Sequence, residues 1–312
     1  MLFPQKLDRE QFACLGRALL LAFAVWAGAV NPASASAESV TPLPCFPNQR
    51  YNDVEGKAGL CDVLLPTVDP SPSGYPTVLV IHGGAWMSGS KWTIERYSRY
   101  LAREGYATVT INYRLAPSHT FPKQVDDVRQ SLVWISEHAD KFHFDLERIG
   151  LFGYSAGGHL SLLVSALQDE PIETQRTASQ WHSDDARWSK LPKIRATCAG
   201  GPPCNFQTLP LDNTSLAFFL GSSRRKKPAT YQAASPIAHV SAGDPPVQII
   251  HGESDALVPI KTSVAFLEAM QSTGATCELA KLPGQGHMLT FLHPKTSELM
   301  REFFAVKLRP EK

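Results

Sequence analysis

Short apolar runs alternate with amphipathic segments along most of the chain. Several of the apolar runs lack a polar face, which is typical of strands that are covered by helices on both faces of a sheet. The predicted strands are 77–82, 107–113, 148–154, 194–200, 247–252 and 277–283. The segments with helical spacing of apolar residues are 92–105, 123–139 and 263–274. This alternation predicts an α/β fold with a mostly parallel, doubly wound sheet, whose functional site lies at the carboxyl ends of the strands.

The first 37 residues differ from the rest of the chain. Basic residues precede the uncharged apolar stretch 18–30, and Ala35, Ser36 and Ala37 match the small-residue pattern of a signal-peptidase site. We therefore expect residues 1–37 to be a cleaved signal peptide, which predicts a secreted or periplasmic protein without stable membrane insertion after cleavage. An uncleaved signal anchor is the alternative.

Composition suits a single domain over 38–312 with a substantial core, because 43% of the residues are hydrophobic and only 19% are charged. The net charge of +1 provides no electrostatic argument for nucleic acid as a partner.

Five cysteines lie beyond the predicted signal: Cys45, Cys61, Cys198, Cys204 and Cys277. Export would permit disulfides, and closeness in sequence suggests the pairs Cys45–Cys61 and Cys198–Cys204. The alternative is that all five are small buried hydrophobic residues. No CxxC motif and no Cys/His cluster has the spacing of a zinc site, so no metal is expected.

The predicted strand 148–154 ends in Gly153-Tyr154-Ser155-Ala156-Gly157, which matches G-x-S-x-G. The apolar segment 159–167 that follows is predicted to be a helix. Small residues beside Ser155 permit a tight strand-to-helix turn that exposes the hydroxyl, and the helix start provides unpaired N–H groups. Ser155 is therefore the candidate nucleophile.

A serine nucleophile needs a base, and the base needs an acid that orients it. His287 lies in a glycine-rich loop after the last predicted strand, and Asp255 lies four residues after His251 at another strand end. Asp255 could instead cap a helix, and we expect that one carboxylate does not easily do both. The competing candidates are His293 for the base and Glu253 for the acid.

The two glycines after the predicted strand 77–82 provide backbone N–H groups that are candidate donors to an oxyanion. Acyl transfer passes through a negatively charged tetrahedral state that needs positioned donors. We expect these donors to be the backbone N–H groups of Gly83, Gly84 and Ala156. His82 is expected to hold the glycine loop in shape by hydrogen bonding rather than to act as a base.

The chain order Ser155, Asp255, His287 is that of α/β-hydrolases. The sequence resembles the esterase/lipase group of that superfamily, which includes relatives of hormone-sensitive lipase and bacterial acetyl and feruloyl esterases. The segments that carry the resemblance are HGGAW, NYRLAP, DDVRQSLVWI, GYSAGGHLS, SPIAHV and HGESDALVP. It implies an α/β-hydrolase fold and hydrolysis of carboxylic esters by these three residues without a cofactor.

Two positions depart from the hormone-sensitive-lipase pattern, which usually reads HGGG and GDSAGG. Ala85-Trp86 and Tyr154 replace those positions, and the HGGxW form is more similar to feruloyl-esterase-type proteins and arylformamidases. Trp86 and Tyr154 are candidates for the substrate pocket. Insertions at about 169–192 and 203–232 are expected to form a small cap. Their aromatic residues either line the pocket or pack the insertions onto the body: Trp181, Trp188, Phe206, Phe218 and Phe219.

We therefore expect a serine carboxylesterase that cleaves short-chain or aryl esters of small molecules through an acyl-enzyme. An arylformamidase, another amidase or a peptidase with the same three residues is the alternative. A non-catalytic binding protein on this fold is a further alternative, although such proteins usually lack one of the three. A metal-dependent deacetylase would need a His/Asp ligand cluster that the sequence lacks. The acid, the alcohol and the oligomeric state are left open.

Overall fold

The computed structural model describes residues 42–208 and 213–309. The predicted signal peptide, 1–37, lies outside the described residues, so its cleavage and the export of the chain stay predictions. Among the described residues, no helix is both long and apolar enough to cross a membrane.

The described residues contain an eight-stranded sheet in the order β1-β2-β4-β3-β5-β6-β7-β8. Strand β2 pairs antiparallel with β1 and β4, and the remaining neighbours pair in parallel. The strands are β1 (Cys45–Arg50), β2 (Leu60–Leu64), β3 (Tyr75–Ile81), β4 (Ala107–Ile111), β5 (Phe144–Tyr154), β6 (Ile194–Gly200), β7 (Val247–Gly252) and β8 (Cys277–Leu282). The six predicted strands are thus confirmed, together with the mostly parallel sheet.

Helices cover both faces of this sheet. They are α1 (Lys91–Arg103), α2 (Lys123–Glu137), α3 (Ala139–Phe142), α4 (Ala156–Leu167), α5 (Ile172–Gln175), α6 (Thr214–Leu220), α7 (Pro228–Ala233), α8 (Lys261–Thr273), α9 (His287–Leu292) and α10 (Pro294–Lys307). Short 3₁₀ turns span Arg176–Ala178, Ala186–Lys190 and Pro236–His239. The four helical segments predicted from the sequence correspond to α1, α2, α4 and α8.

Strand β3 shows why the sheet is covered on both faces. All seven of its residues are buried. Because alternate side chains of a strand point to opposite faces, Val78 and Val80 pack in one core cluster with Phe304 of α10. Leu79 and Ile81 pack in the other cluster with α2 and α4. A strand of this kind is apolar at nearly every position, which is the pattern that the sequence displays.

Both suggested disulfides are wrong: all five cysteines of the described residues have free thiols, and four of the five are buried. Cys45 lies opposite Leu64 in the β1/β2 pair, and Cys61 lies opposite Gln49. The two cysteines are therefore three residues out of register, roughly 10 Å along the strands, whereas a disulfide needs Cα atoms within about 7 Å.

The second suggested pair is separated by the sheet. Cys198 packs in the cluster that contains residues of α10, whereas Cys204 packs with Phe266 of α8 in a different cluster. The thiols of Cys198, Cys204 and Cys277 are buried and not disulfide-bonded. Burial raises the pKa of Cys277 to about 12. Cys198, Cys204 and Cys277 thus behave as the small hydrophobic residues of the alternative interpretation.

Candidate active site

Loops at the carboxyl ends of the strands converge on a cavity of about 680 Å³. This is the edge of the sheet at which doubly wound proteins place their sites. The structure brings seven of the eight predicted site residues to the cavity wall: Gly83, Gly84, Trp86, Tyr154, Ser155, Ala156 and His287. The eighth, Asp255, lies behind His287, to which it is hydrogen-bonded.

Ser155 lies at the tip of the turn between β5 and α4, with φ 55° and ψ −118°. A positive φ is rare for a residue with a side chain, and such strain is commonly found at functional sites. The flanking glycines make the turn possible. A Cβ at Gly153 would lie 2.2 Å from the Gly157 carbonyl oxygen, and one at Gly157 would lie 2.0 Å from that of Ile81. The Ser155 N–H donates to the Gly200 carbonyl at 2.7 Å, which anchors the turn to β6.

His287 is the first residue of α9, and its side chain is buried against Gly201. Gly201 has φ +51°, a conformation that favours glycine, and a Cβ there would lie only 3.1 Å from Cε1 of the imidazole. The His287 Nδ1 atom lies 2.6 Å from Asp255 Oδ2. Because an ionised carboxylate only accepts hydrogen bonds, Nδ1 carries the proton and Nε2 of the neutral ring is left with a lone pair. This is the tautomer that a base acting through Nε2 requires.

The two carboxylate oxygens of Asp255 accept hydrogen bonds from different groups. Oδ1 accepts hydrogen bonds from the backbone N–H groups of Leu257 and Val258, at 3.0 and 2.8 Å, while Oδ2 accepts from His287. The expectation that capping and orientation would conflict is therefore wrong, because each task takes a different oxygen and the capped element is a turn before α8. The competing acid, Glu253, is exposed to solvent.

A second histidine lies against the same carboxylate. The fully buried His251 places Nε2 at 3.3 Å from Asp255 Oδ2 and 2.9 Å from the Val258 carbonyl oxygen. Its Nδ1 lies 2.8 Å from Ser263 Oγ. Burial alone would raise the pKa of Asp255, but the side chains of His251 and His287 and the N–H of Val258 hold that pKa well below its usual range. From the sequence, His251 was predicted only to lie at the end of a strand, and no pattern indicated its contact with Asp255.

The glycine loop after β3 lies directly against the serine turn. A Cβ at Gly83 would lie 3.2 Å from Ser155 Cβ, and Gly84 adopts φ +113°. Within residues 42–208 and 213–309, no backbone oxygen accepts a loop or cap hydrogen bond from the N–H of Gly83, Gly84 or Ala156. These donors are thus available at the cavity, as the prediction of an oxyanion site requires.

His82 holds the glycine loop, as the sequence predicted. Its Nδ1 donates to the Gly83 carbonyl at 2.6 Å, and its ring stacks on Tyr113 at 4.2 Å. Burial lowers the pKa of His82 to about 4. A histidine that is buried, neutral and bonded to the loop backbone acts as a structural support.

Trp86 and Tyr154 line the cavity, and the polar atoms of their side chains bind the protein. The Trp86 Nε1–H donates to His159 Nδ1 at 3.2 Å, and the indole stacks on Phe219 at 4.4 Å. The Tyr154 hydroxyl donates to the backbone carbonyl of His287 at 2.5 Å. Neither side chain therefore has its polar atom free for a substrate, and Tyr154 binds the residue that carries the candidate base.

Only the second of the two insertions reaches the cavity in the part of the chain that the structure describes. Its contribution consists of Pro203, Asn213, Ser215 and Leu216. The insertion 169–192 instead packs on α2, where Ser179 Oγ donates to Asp126 at 2.5 Å and Arg187 donates to Gln130 at 3.1 Å.

Four of the five aromatic residues of the insertions pack against other aromatic rings. Trp181 and Trp188 contact each other at 5.0 Å, and Phe206 and Phe219 contact Trp86. Phe218 is 48% exposed. Among the described residues that line the cavity, none is one of these five.

The described residues contain no group of three or more His, Cys, Asp or Glu side chains that is arranged to hold a metal ion. Of the ionisable side chains at this end of the sheet, His287 in the cavity wall is hydrogen-bonded to Asp255 behind it. This arrangement can transfer a proton at the serine hydroxyl and can accommodate negative charge beside the glycine loop.

The family model described as BD-FAE matches residues 61–270, about two thirds of the chain. The chain belongs to the BD-FAE family. The matched range contains Ser155 and Asp255, and it ends before His287. The expected resemblance to α/β-hydrolase esterases is thereby confirmed.

Individual relatives of this BD-FAE chain are also esterases by name. Esterase LipC of Mycobacterium tuberculosis is 28% identical over 215 residues, which cover 68% of this chain and 52% of LipC. The chain spans about half the length of the curated relatives that it matches first.

Solved structures confirm the α/β-hydrolase fold. A truncated carbohydrate esterase from gut microbiota superposes with a TM-score of 0.75 at 24% identity, covering 84% of this chain and 95% of that one. Esterase 2 of Thermogutta terrifontis with bound propionate superposes with a TM-score of 0.67 at 25% identity, covering 85% and 96%.

Proposed function

We propose that the chain is a carboxylic ester hydrolase in which Ser155 is the nucleophile, His287 the base and Asp255 the acid that orients it. The observation that carries the proposal is the 2.6 Å bond between His287 Nδ1 and Asp255 Oδ2 behind a cavity that Ser155 and His287 both line. That bond leaves Nε2 of the neutral ring unprotonated, and we propose that this nitrogen faces Ser155.

The proposed reaction proceeds in two halves. His287 Nε2 takes the proton of Ser155 Oγ as the oxygen attacks the ester carbonyl, and the N–H groups of Gly83, Gly84 and Ala156 bind the resulting oxyanion. When the tetrahedral state collapses, the C–O bond to the alcohol breaks and His287 returns the proton to the leaving oxygen. Water then attacks the acyl-enzyme by the same route and releases the acid.

We propose short acyl or flat aryl acyl groups as the substrate class. The cavity wall is mainly apolar, and a volume of about 680 Å³ suits a small ligand. The Thermogutta esterase, whose structure holds propionate, supports a short acyl group. Amide hydrolysis would use the same groups, so an assay panel should pair each ester with its anilide.

The decisive test combines turnover with labelling. The protein should hydrolyse p-nitrophenyl butyrate, and a fluorophosphonate should modify Ser155. The variant Ser155→Ala should lose both the label and the turnover, by several orders of magnitude. Ser215→Ala, which removes another hydroxyl from the cavity wall, should keep the label. A label on a different serine, or unchanged turnover in Ser155→Ala, would contradict the assignment.

We also propose that the protein is exported and cleaved near Ala37, because a basic start, an apolar stretch and small residues follow one another there. Amino-terminal sequencing of the protein from the producing cells tests this. A mature chain that begins near Glu38 outside the cytoplasm is expected, and a full-length cytoplasmic chain would refute it.

A further inference from the structure

The buried contact between His251 and Asp255 is not used by the reaction described above. His251 is the second-last residue of β7, just before the loop that carries Asp255, and it is 0% exposed. A fully buried imidazole that faces a buried carboxylate influences the charge of that carboxylate strongly, since the interior screens charges poorly. If Asp255 is the acid of the proposed function, its contact with His251 affects how strongly its carboxylate holds the proposed base.

The surroundings of His251 determine which of its nitrogens carries a proton. Nε2 faces two oxygens that can only accept, the Val258 carbonyl at 2.9 Å and Asp255 Oδ2 at 3.3 Å. Nε2 must therefore be the donor. Ser263 Oγ, at 2.8 Å from Nδ1, can donate to the ring on its other side. The tautomer is fixed by these three neighbours.

We propose that His251 is a positioning residue, whose Nε2–H shares Asp255 Oδ2 with His287 and so limits how strongly that oxygen holds the proposed base. The same oxygen accepts from His287 Nδ1 at 2.6 Å. The Nε2–H donates to the Val258 carbonyl and also lies 3.3 Å from Asp255 Oδ2, where it reduces the negative charge density of that oxygen, so the oxygen accepts less strongly from His287 than it would without His251.

Few other ionisable groups face this pair. Tyr154 lies edge-on to the His287 ring at 5.3 Å, and its hydroxyl binds the His287 carbonyl. Among the described residues, the titratable side chains placed against Asp255 and His287 are thus Tyr154 and His251, together with the pair itself. Burial raises the pKa of Tyr154 well above its usual range, so its hydroxyl stays protonated. The effect of a substitution at His251 can therefore be measured at His287 without interference from the ionisation of Tyr154.

Two substitutions separate the contact with Asp255 from the contact with Ser263. In His251→Gln the amide nitrogen occupies the place of Nε2 and can still donate toward Asp255. In His251→Asn the amide occupies the place of Nδ1, so the contact with Ser263 is kept and the donor to Asp255 is lost. The Asn variant should shift the acidic limb of the pH profile of kcat/KM upward by about half a pH unit or more, and the Gln variant should retain the wild-type limb.

The same comparison can be made without turnover. The downfield ¹H NMR signal of the His287 Nδ1–H, followed against pH, reports the ionisation of the ring directly. It should titrate at higher pH in His251→Asn than in the wild type and His251→Gln. Equal titration in all three proteins, or equal shifts in both variants, would overturn the proposal and leave His251 a support of the loop. Loss of ester hydrolysis from the wild type would instead refute the proposed function, and the NMR titration would still decide the role of His251.

Discussion

The hydroxyl of Tyr154 provides the most direct test of how the candidate base is held. It donates to the backbone carbonyl of His287 at 2.5 Å, from a side chain that is only 4% exposed. Tyr154→Phe keeps the aromatic ring and removes the hydroxyl that makes this bond. A buried neutral hydrogen bond contributes about 1 kcal/mol to stability. If all of that free energy serves to hold His287 in place, kcat/KM should fall by up to about fivefold, because 1.36 kcal/mol corresponds to a factor of ten in rate.

A matched control exists elsewhere in the chain. Tyr51 is also buried, and its hydroxyl lies 2.5 Å from the Asn112 carbonyl oxygen and 3.0 Å from the Ala58 carbonyl oxygen. Tyr51→Phe should lose a comparable free energy of unfolding, measured by urea denaturation, and keep the kcat/KM of the wild type on p-nitrophenyl butyrate. If Tyr154→Phe is destabilised like Tyr51→Phe but hydrolyses the ester at the full rate, the bond to His287 supports the fold and does not position the base.

Three further outcomes are expected. Asp255→Asn should leave the protein folded but lower kcat by about 10⁴-fold, while Glu253→Gln keeps the wild-type rate; a reversed result would assign the acid to Glu253. For p-nitrophenyl esters, kcat/KM should fall steeply beyond about six acyl carbons, since each methylene that does not fit costs about 1–3 kcal/mol; greater activity on emulsified trioleoylglycerol than on butyrate would contradict this. Burial lowers the pKa of His159 to about 4, so the stability linked to its neutral ring is complete above about pH 6.5 and is lost as the pH falls toward 4, by up to about 3 kcal/mol. In urea titrations, His159→Gln should therefore show a weaker pH dependence than the wild type.

The sequence predicted the buried strands well, because a strand with no wet face is apolar throughout. It did not predict β1, which is mostly exposed at the edge of the sheet, contains Pro47 and lacks an apolar run. Short antiparallel strands at a sheet edge bury little, so their residues carry a weak signal. The suggested Cys45–Cys61 disulfide was wrong for the same reason. The distance between the two cysteines depends on the register of β1 and β2, and neither strand was predicted.

The candidate site was predictable as far as strand ends could be recognised. Ser155, His287 and Asp255 each follow a strand, and parallel strands bring their carboxyl ends to one edge of the sheet. The supporting contacts were not predictable. The bonds of Tyr154 to His287 and of His251 to Asp255 depend on which loops the strand order places side by side, and on side-chain distances of a few ångströms.

The backbone of Ser155 has a consequence for the evolution of the chain. At φ 55° a serine is held in a conformation that costs of order 1–3 kcal/mol, and a glycine would adopt it with little strain. Replacement by glycine would therefore increase stability while it removes the proposed nucleophile. That exchange would trade the proposed chemistry for stability, a gain that would be open to a lineage that no longer needed the reaction.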